Sequence, residues 1–176
     1  MRERVTSERL QEFMRVLGDR LTQQTRVFLV GGATAVLLGW RSSTIDIDLK
    51  VIPDSDESLQ LFSILKDRLD VNIELASPDD FIPALPGWEE RSIFIAQVGK
   101  VTFLHYDFYA QALAKIERGH DFDLSDVHHL LKAQLIDPTK LMQLFSQIED
   151  KLFRYPAVNP EVFRRAVELA VSEAGQ

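Results

Sequence analysis

The stretch Phe28–Val51, FLVGGATAVLLGWRSSTIDIDLKV, decides the fold. Just upstream it begins as "RVFLV" at 26–30, a short apolar run ended by Gly31 and Gly32, which reads as a buried strand. Ala33 to Leu38 then reads as a short helix closed near Gly39. Beyond it, "TIDIDLKV" at 44–51 alternates Ile45, Ile47, Leu49 and Val51 with Thr44, Asp46, Asp48 and Lys50. Side chains alternate across a strand, so this segment has one apolar and one polar face.

Working outward, Leu10, Phe13, Met14, Leu17 and Leu21 recur at three- and four-residue steps and predict an amphipathic helix from Thr6 to about Gln24. On the other side, Pro53 and "DSDES" make a turn and helix start, Leu59 to Leu69 a second helix, and "VNIEL" at 71–75 another strand. "SIFIAQV" and "VTFLHYDF", joined at Gly99-Lys100, predict a hairpin. After Tyr109 the pattern is helical over 109–118, 123–134, 138–152 and 160–173. Strands alternating with helices and followed by a helical tail predict an α/β (α+β) fold, with a core at 1–108 and a C-terminal helical part at 109–176 packed on it as one unit.

At 176 residues the chain can bury a real core, and without cysteine it has neither disulfides nor thiolate metal sites. The charged start "MRERVTSERLQEF" lacks the apolar centre of a signal peptide, and no apolar run is long enough for a membrane span. A cytoplasmic location with no membrane partner is the expectation. A net charge of −7 argues against broad binding to a phosphate backbone. The basic excess sits at the N-terminal end, on Arg2, Arg4, Arg9, Arg15, Arg20 and Arg26, and reads as a solvated helix face.

Asp46 and Asp48 leave the same strand face with Cα atoms about 6.5–7 Å apart. At that distance two ionised carboxylates repel by about 2 kcal/mol at an effective dielectric of 20, and a divalent cation removes the repulsion. Mg2+ suits one or two carboxylates combined with substrate phosphates. Gly31 and Gly32, placed between strand and helix, let the backbone approach an anion, and Thr34 adds a hydroxyl.

Taken together, "GGAT", Arg41-Ser-Ser-Thr44 and "DIDL" resemble the signature of the polymerase-beta-like nucleotidyltransferase superfamily, in its branch of abortive-infection type E (AbiEii-like) toxins. The resemblance implies that Asp46 and Asp48 bind Mg2+ (or Mn2+) and that Gly31, Gly32 and Thr34 hold the triphosphate of an NTP, with Arg41 and Thr44 in the same nucleotide-binding motif. It implies a third catalytic, metal-binding carboxylate, for which Glu74 is the candidate and Asp107 the competitor. It further implies that "ALAKIERGHDFDLSDVHHLL" contributes Lys115 and Asp126 to catalysis and Arg118 to the nucleotide, with Asp123 either in the same set or an N-cap. Lys115 would neutralise a phosphate, and Arg118 would pair with a carboxylate or phosphate three residues along its own helix. The implied reaction moves an NMP from the NTP to a hydroxyl of RNA, tRNA included, or of protein, and the toxin branch implies an antitoxin partner.

Other readings fit fewer residues. A glycosyltransferase would use the Asp-x-Asp triplet but not the glycine pair, and a metal phosphohydrolase built on His105, His120-Asp121, His128 and His129 lacks ligand spacing. A degenerate binding module of the same fold would keep the glycines and lose the carboxylates.

Overall fold

Thr6 ends a two-residue strand, β1 (Val5–Thr6), and its hydroxyl accepts from the Arg9 amide to start helix α1 (Ser7–Arg20). Leu10, Phe13 and Leu17, on one face of α1, are fully buried. The chain then runs through β2 (Thr25–Val30), turns at Gly31 into α2 (Gly32–Leu38), and leaves it at Gly39, whose left-handed conformation ends the helix. The computed structural model describes all 176 residues.

The single strand expected over 44–51 is two strands, β3 (Ser43–Thr44) and β4 (Asp46–Ile52). β1 pairs antiparallel with β3 in a small separate sheet, so the chain changes partners at Ile45, which is 64% exposed. Along β4 the alternation holds: Ile47, Leu49 and Val51 enter the core while Asp46, Asp48 and Lys50 take the other face. Full burial of side chains such as Ile47 and Leu49 stabilises by roughly 1.5–3 kcal/mol each, and this pins the register that aims the aspartates.

Helix α3 (Asp56–Arg68) starts on a reciprocal Ser55–Ser58 cap and leads to β5 (Asn72–Leu75). After the short helix α4 (Trp88–Arg91), the hairpin of β6 (Ile93–Val98) and β7 (Val101–His105) completes a five-stranded sheet. Its order is β5-β4-β2-β7-β6. β2 runs antiparallel to β4 and parallel to β7, β4 runs parallel to β5, and β6 and β7 are antiparallel. The last strand stops at His105 rather than Phe108, because Asp107 leaves the sheet to cap the next helix.

Arg15 and Arg20 lie exposed on α1 as expected, while Arg2 and Arg9 also serve the fold. Arg2 donates to the carbonyls of Lys66 and Val71 and pairs with Asp67, and Arg9 donates to the Leu69 carbonyl at 2.6 Å. They thus satisfy carbonyls at and just past the end of α3, where cations also complement the helix dipole.

The chain divides into two compact units, Met1–Ser77 with Ser92–Tyr106, and Pro78–Arg91 with Asp107–Gln176. The second unit contains α4 and the helices α5 (Phe108–Arg118), α6 (Asp121–Lys132), α7 (Pro138–Ile148) and α8 (Pro160–Ala174). Asp107, Asp137 and Asn159 cap α5, α7 and α8 through their side chains. The helix expected to reach 152 ends at Ile148 and tightens into a 3-10 turn over Glu149–Arg154. Phe145 and Phe163 meet edge to face at 4.9 Å in the interior of this unit. No helix is long and apolar enough to cross a membrane.

Candidate functional site

Parallel pairing of β4 with β5 sets Asp46 opposite Asn72 and Asp48 opposite Glu74. Register partners share a face, so four polar side chains gather on the face opposite Ile47 and Ile73. One carboxylate oxygen from each of Asp46, Asp48 and Glu74 lies within 4.8 Å of the others. Asp46 and Asp48 are half-buried and Glu74 is exposed. The Asn72 amide nitrogen donates to Asp46 Oδ1 at 2.7 Å and to Glu74 Oε1 at 3.0 Å.

On the other side of β4, Val30 is the register partner of Asp48, so the turn that follows β2 begins beside that carboxylate. The two glycines of the turn answer different needs. Gly31 has φ 62° and ψ −123°, a conformation open to glycine, and a Cβ there would lie 3.5 Å from Asp48 Oδ2. Gly32 packs on Thr44, whose Oγ1 would be 2.0 Å from an added Cβ.

Thr34 is 2% exposed, with its hydroxyl turned inward. It donates to the Leu29 carbonyl at 3.3 Å and shares a 2.9 Å hydrogen bond with His105 Nδ1. Burial pushes the His105 imidazole down to about 4, so the ring is neutral near pH 7. Thr44 is buried against Gly32, and Arg41 is half-buried.

The chemistry of the donor set fits a hard divalent cation: three carboxylates on two adjacent strands, with oxygens converging and no soft ligand among them. Glu74, the expected third carboxylate, is part of this group. Asp107, its competitor, is fully buried in the other unit, where Arg91 holds it at 2.7 and 3.1 Å and it caps α5 through the Tyr109 amide.

In the helical unit the structure joins Lys115, Arg118, Asp123 and Asp126 to one another. Lys115 Nζ lies 2.7 Å from Asp126 and 3.5 Å from Asp123. Arg118 grips Asp123 with two bonds of 2.6 and 2.7 Å, so its carboxylate partner is on the next helix rather than its own. Asp123 is not the N-cap of α6, since His120 holds that position without a side-chain bond. Burial acts to raise the Asp123 carboxyl, but the Arg118 hydrogen bonds and the nearby Lys115 charge outweigh it and hold the carboxyl below its ordinary value.

Asn72 is the site residue that motif reasoning passed over. Its signal was available: in "VNIEL" it stands two residues before Glu74 and so shares its face. That signal became readable only with the β4–β5 register.

A mixed sheet with an aspartate pair beside a glycine turn and a third carboxylate on the neighbouring strand defines a class, and comparison with known proteins agrees with it. The family described as "Nucleotidyltransferase of unknown function (DUF6036)" matches residues 7–165, and the chain belongs to that family. Among solved structures the chain is similar to an antigenic nucleotidyltransferase-like protein from Paracoccidioides brasiliensis. The TM-score is 0.52 at 14% identity, with 94% of this chain and 95% of that one covered, a likeness of fold. No curated protein sequence matches the chain.

Proposed function

We propose that this protein moves a nucleoside monophosphate from an NTP to an acceptor hydroxyl and releases pyrophosphate. The observation that carries the reading is the convergence of Asp46, Asp48 and Glu74 within 4.8 Å, next to the Gly31 turn, in a chain of a nucleotidyltransferase family. The three carboxylates would hold Mg2+ or Mn2+, which when bound supplies neutralisation of the triphosphate charge.

The acceptor oxygen forms a bond to the α-phosphorus as the α–β bridging bond breaks. Glu74, exposed on its strand, helps deprotonate the acceptor hydroxyl, as the third metal ligand or as the base that takes the proton. Gly31 gives the phosphates an approach to the backbone of the turn, Gly32 lets the turn pack on Thr44, and Arg41 is the cation of the same motif. Catalysis then consists mainly of positioning and charge compensation. In this reading Thr34 shapes the turn from inside, while Lys115, Arg118, Asp123 and Asp126 clasp α5 to α6.

Two observations bear on the acceptor. Resemblance to the toxin branch supports RNA, tRNA included, and with it an antitoxin partner. The net charge of −7 and the engagement of Arg2 and Arg9 with carbonyls near the end of α3 support a protein hydroxyl.

The test incubates the protein with Mg2+ and each α-labelled NTP, together with total cellular RNA or protein, using Asp46→Ala as control. Label on a discrete RNA or protein that disappears in the variant supports the reading and identifies nucleotide and acceptor. Nucleotide binding without any transfer would replace it with a binding module of the same fold.

A further inference from the structure

One neutral side chain stands among the three carboxylates. Asn72 faces Asp46 across the β4–β5 pair and shares a face with Glu74. Its amide nitrogen carries two protons, and the bonds to Asp46 Oδ1 and Glu74 Oε1 use both. The reverse amide orientation would aim a carbonyl oxygen at two carboxylates, so charge determines which way the group points.

We infer that Asn72 is the positioning residue of this site: a neutral brace that holds Asp46 and Glu74 at ligating separation and so sets how tightly a divalent cation binds. The inference rests on the metal-site reading above. Each braced carboxylate keeps its second oxygen for a cation. The brace also spans the two strands, so it ties the side chain of an edge-strand residue to that of an inner-strand residue. An aspartate at this position would bring a fourth negative charge, and an alanine would leave the two carboxylates to separate by rotamer change. The groups around a ligand set commonly govern metal affinity by 10–100-fold, about the range open to this amide.

The experiment measures Mn2+ binding by calorimetry and melting temperature in EDTA for wild type, Asn72→Ala, Asn72→Ser and Asn72→Asp. Asn72→Ala is expected to bind Mn2+ about 10–100-fold more weakly while melting in EDTA within a few degrees of wild type. Asn72→Ser, which retains one donor, is expected to fall between them, and it carries the comparison should the alanine variant not fold. Asn72→Asp is expected to melt lower in EDTA and to gain more on Mn2+ addition than wild type does. Mn2+ affinities of the alanine and serine variants within twofold of wild type would overturn the role of Asn72 and leave the metal site standing. Absence of Mn2+ binding by wild type would overturn both, so the two failures are distinguishable.

Discussion

Gly32 and Thr44 are in such close approach that a methyl group added to the glycine would stand 2.0 Å from the threonine Oγ1 and 2.7 Å from its Cβ. Gly32→Ala must therefore displace β3 or α2, and overpacking of this kind costs about 1–3 kcal/mol. Urea unfolding of Gly32→Ala, Thr44→Gly and the double variant should show coupling, with the alanine costing less once Thr44 is trimmed. Strict additivity would mean that the contact is relieved elsewhere.

Asp48→Asn removes one charge from the carboxylate group while keeping its shape. Transfer activity should fall by at least ~10²-fold, whereas melting in EDTA should be unchanged or higher, because a like-charge repulsion has been removed. Side-by-side turnover and thermal scans decide this, and a variant retaining wild-type turnover in Mg2+ would eliminate the proposed role.

His105 supplies the pH dependence. Its folded value of about 4 lies below the unfolded value near 6.5, so between them the unfolded chain binds the extra proton. Stability from this group is full above about pH 6.5 and is lost as pH falls toward 4, by roughly 3 kcal/mol in all. Chemical denaturation at pH 7, 5.5 and 4.5 should trace that decline. His105→Asn should flatten it while lowering stability throughout through the altered Thr34 contact.

Lys115→Ala removes the 2.7 Å ion pair to Asp126 and the 3.5 Å contact to Asp123, with both carboxylates almost wholly buried. Breaking a buried pair from one side costs about 3–5 kcal/mol, whereas replacing both partners with apolar groups costs far less. Lys115→Ala should therefore be the less stable of the two when set against Lys115→Met combined with Asp126→Leu. Full stability in Lys115→Ala with turnover abolished would instead return this lysine to the chemistry.

Much of the fold was legible because its signals are local. The run before Gly31, the glycine pair and the alternation of Ile47, Leu49 and Val51 specify strand, turn, helix and strand with no knowledge of the rest of the chain. The carboxylates were legible for the same reason, since two residues apart on a strand means one shared face. What stayed hidden depends on partners distant in sequence. Ile45 belongs to an unbroken alternation until β1 pairs with Ser43 and Thr44. Asn72 is an ordinary strand asparagine until β5 lies parallel to β4 in a register that places it opposite Asp46. Lys115 and Asp126 read as available charges until α5 and α6 bring them within 2.7 Å.

Placing Glu74 on β5 has a dynamic consequence. The two aspartates belong to an inner strand with a neighbour on each side, while Glu74 belongs to a four-residue strand at the sheet's margin, hydrogen-bonded to β4 alone. Margins of this kind open locally at lower free energy than the centre of a sheet. A divalent ion shared by the two strands would act as a rivet across that seam: amide protons of residues 72–75 should exchange with solvent faster in EDTA than with Mn2+, while those of β2 keep one rate in both.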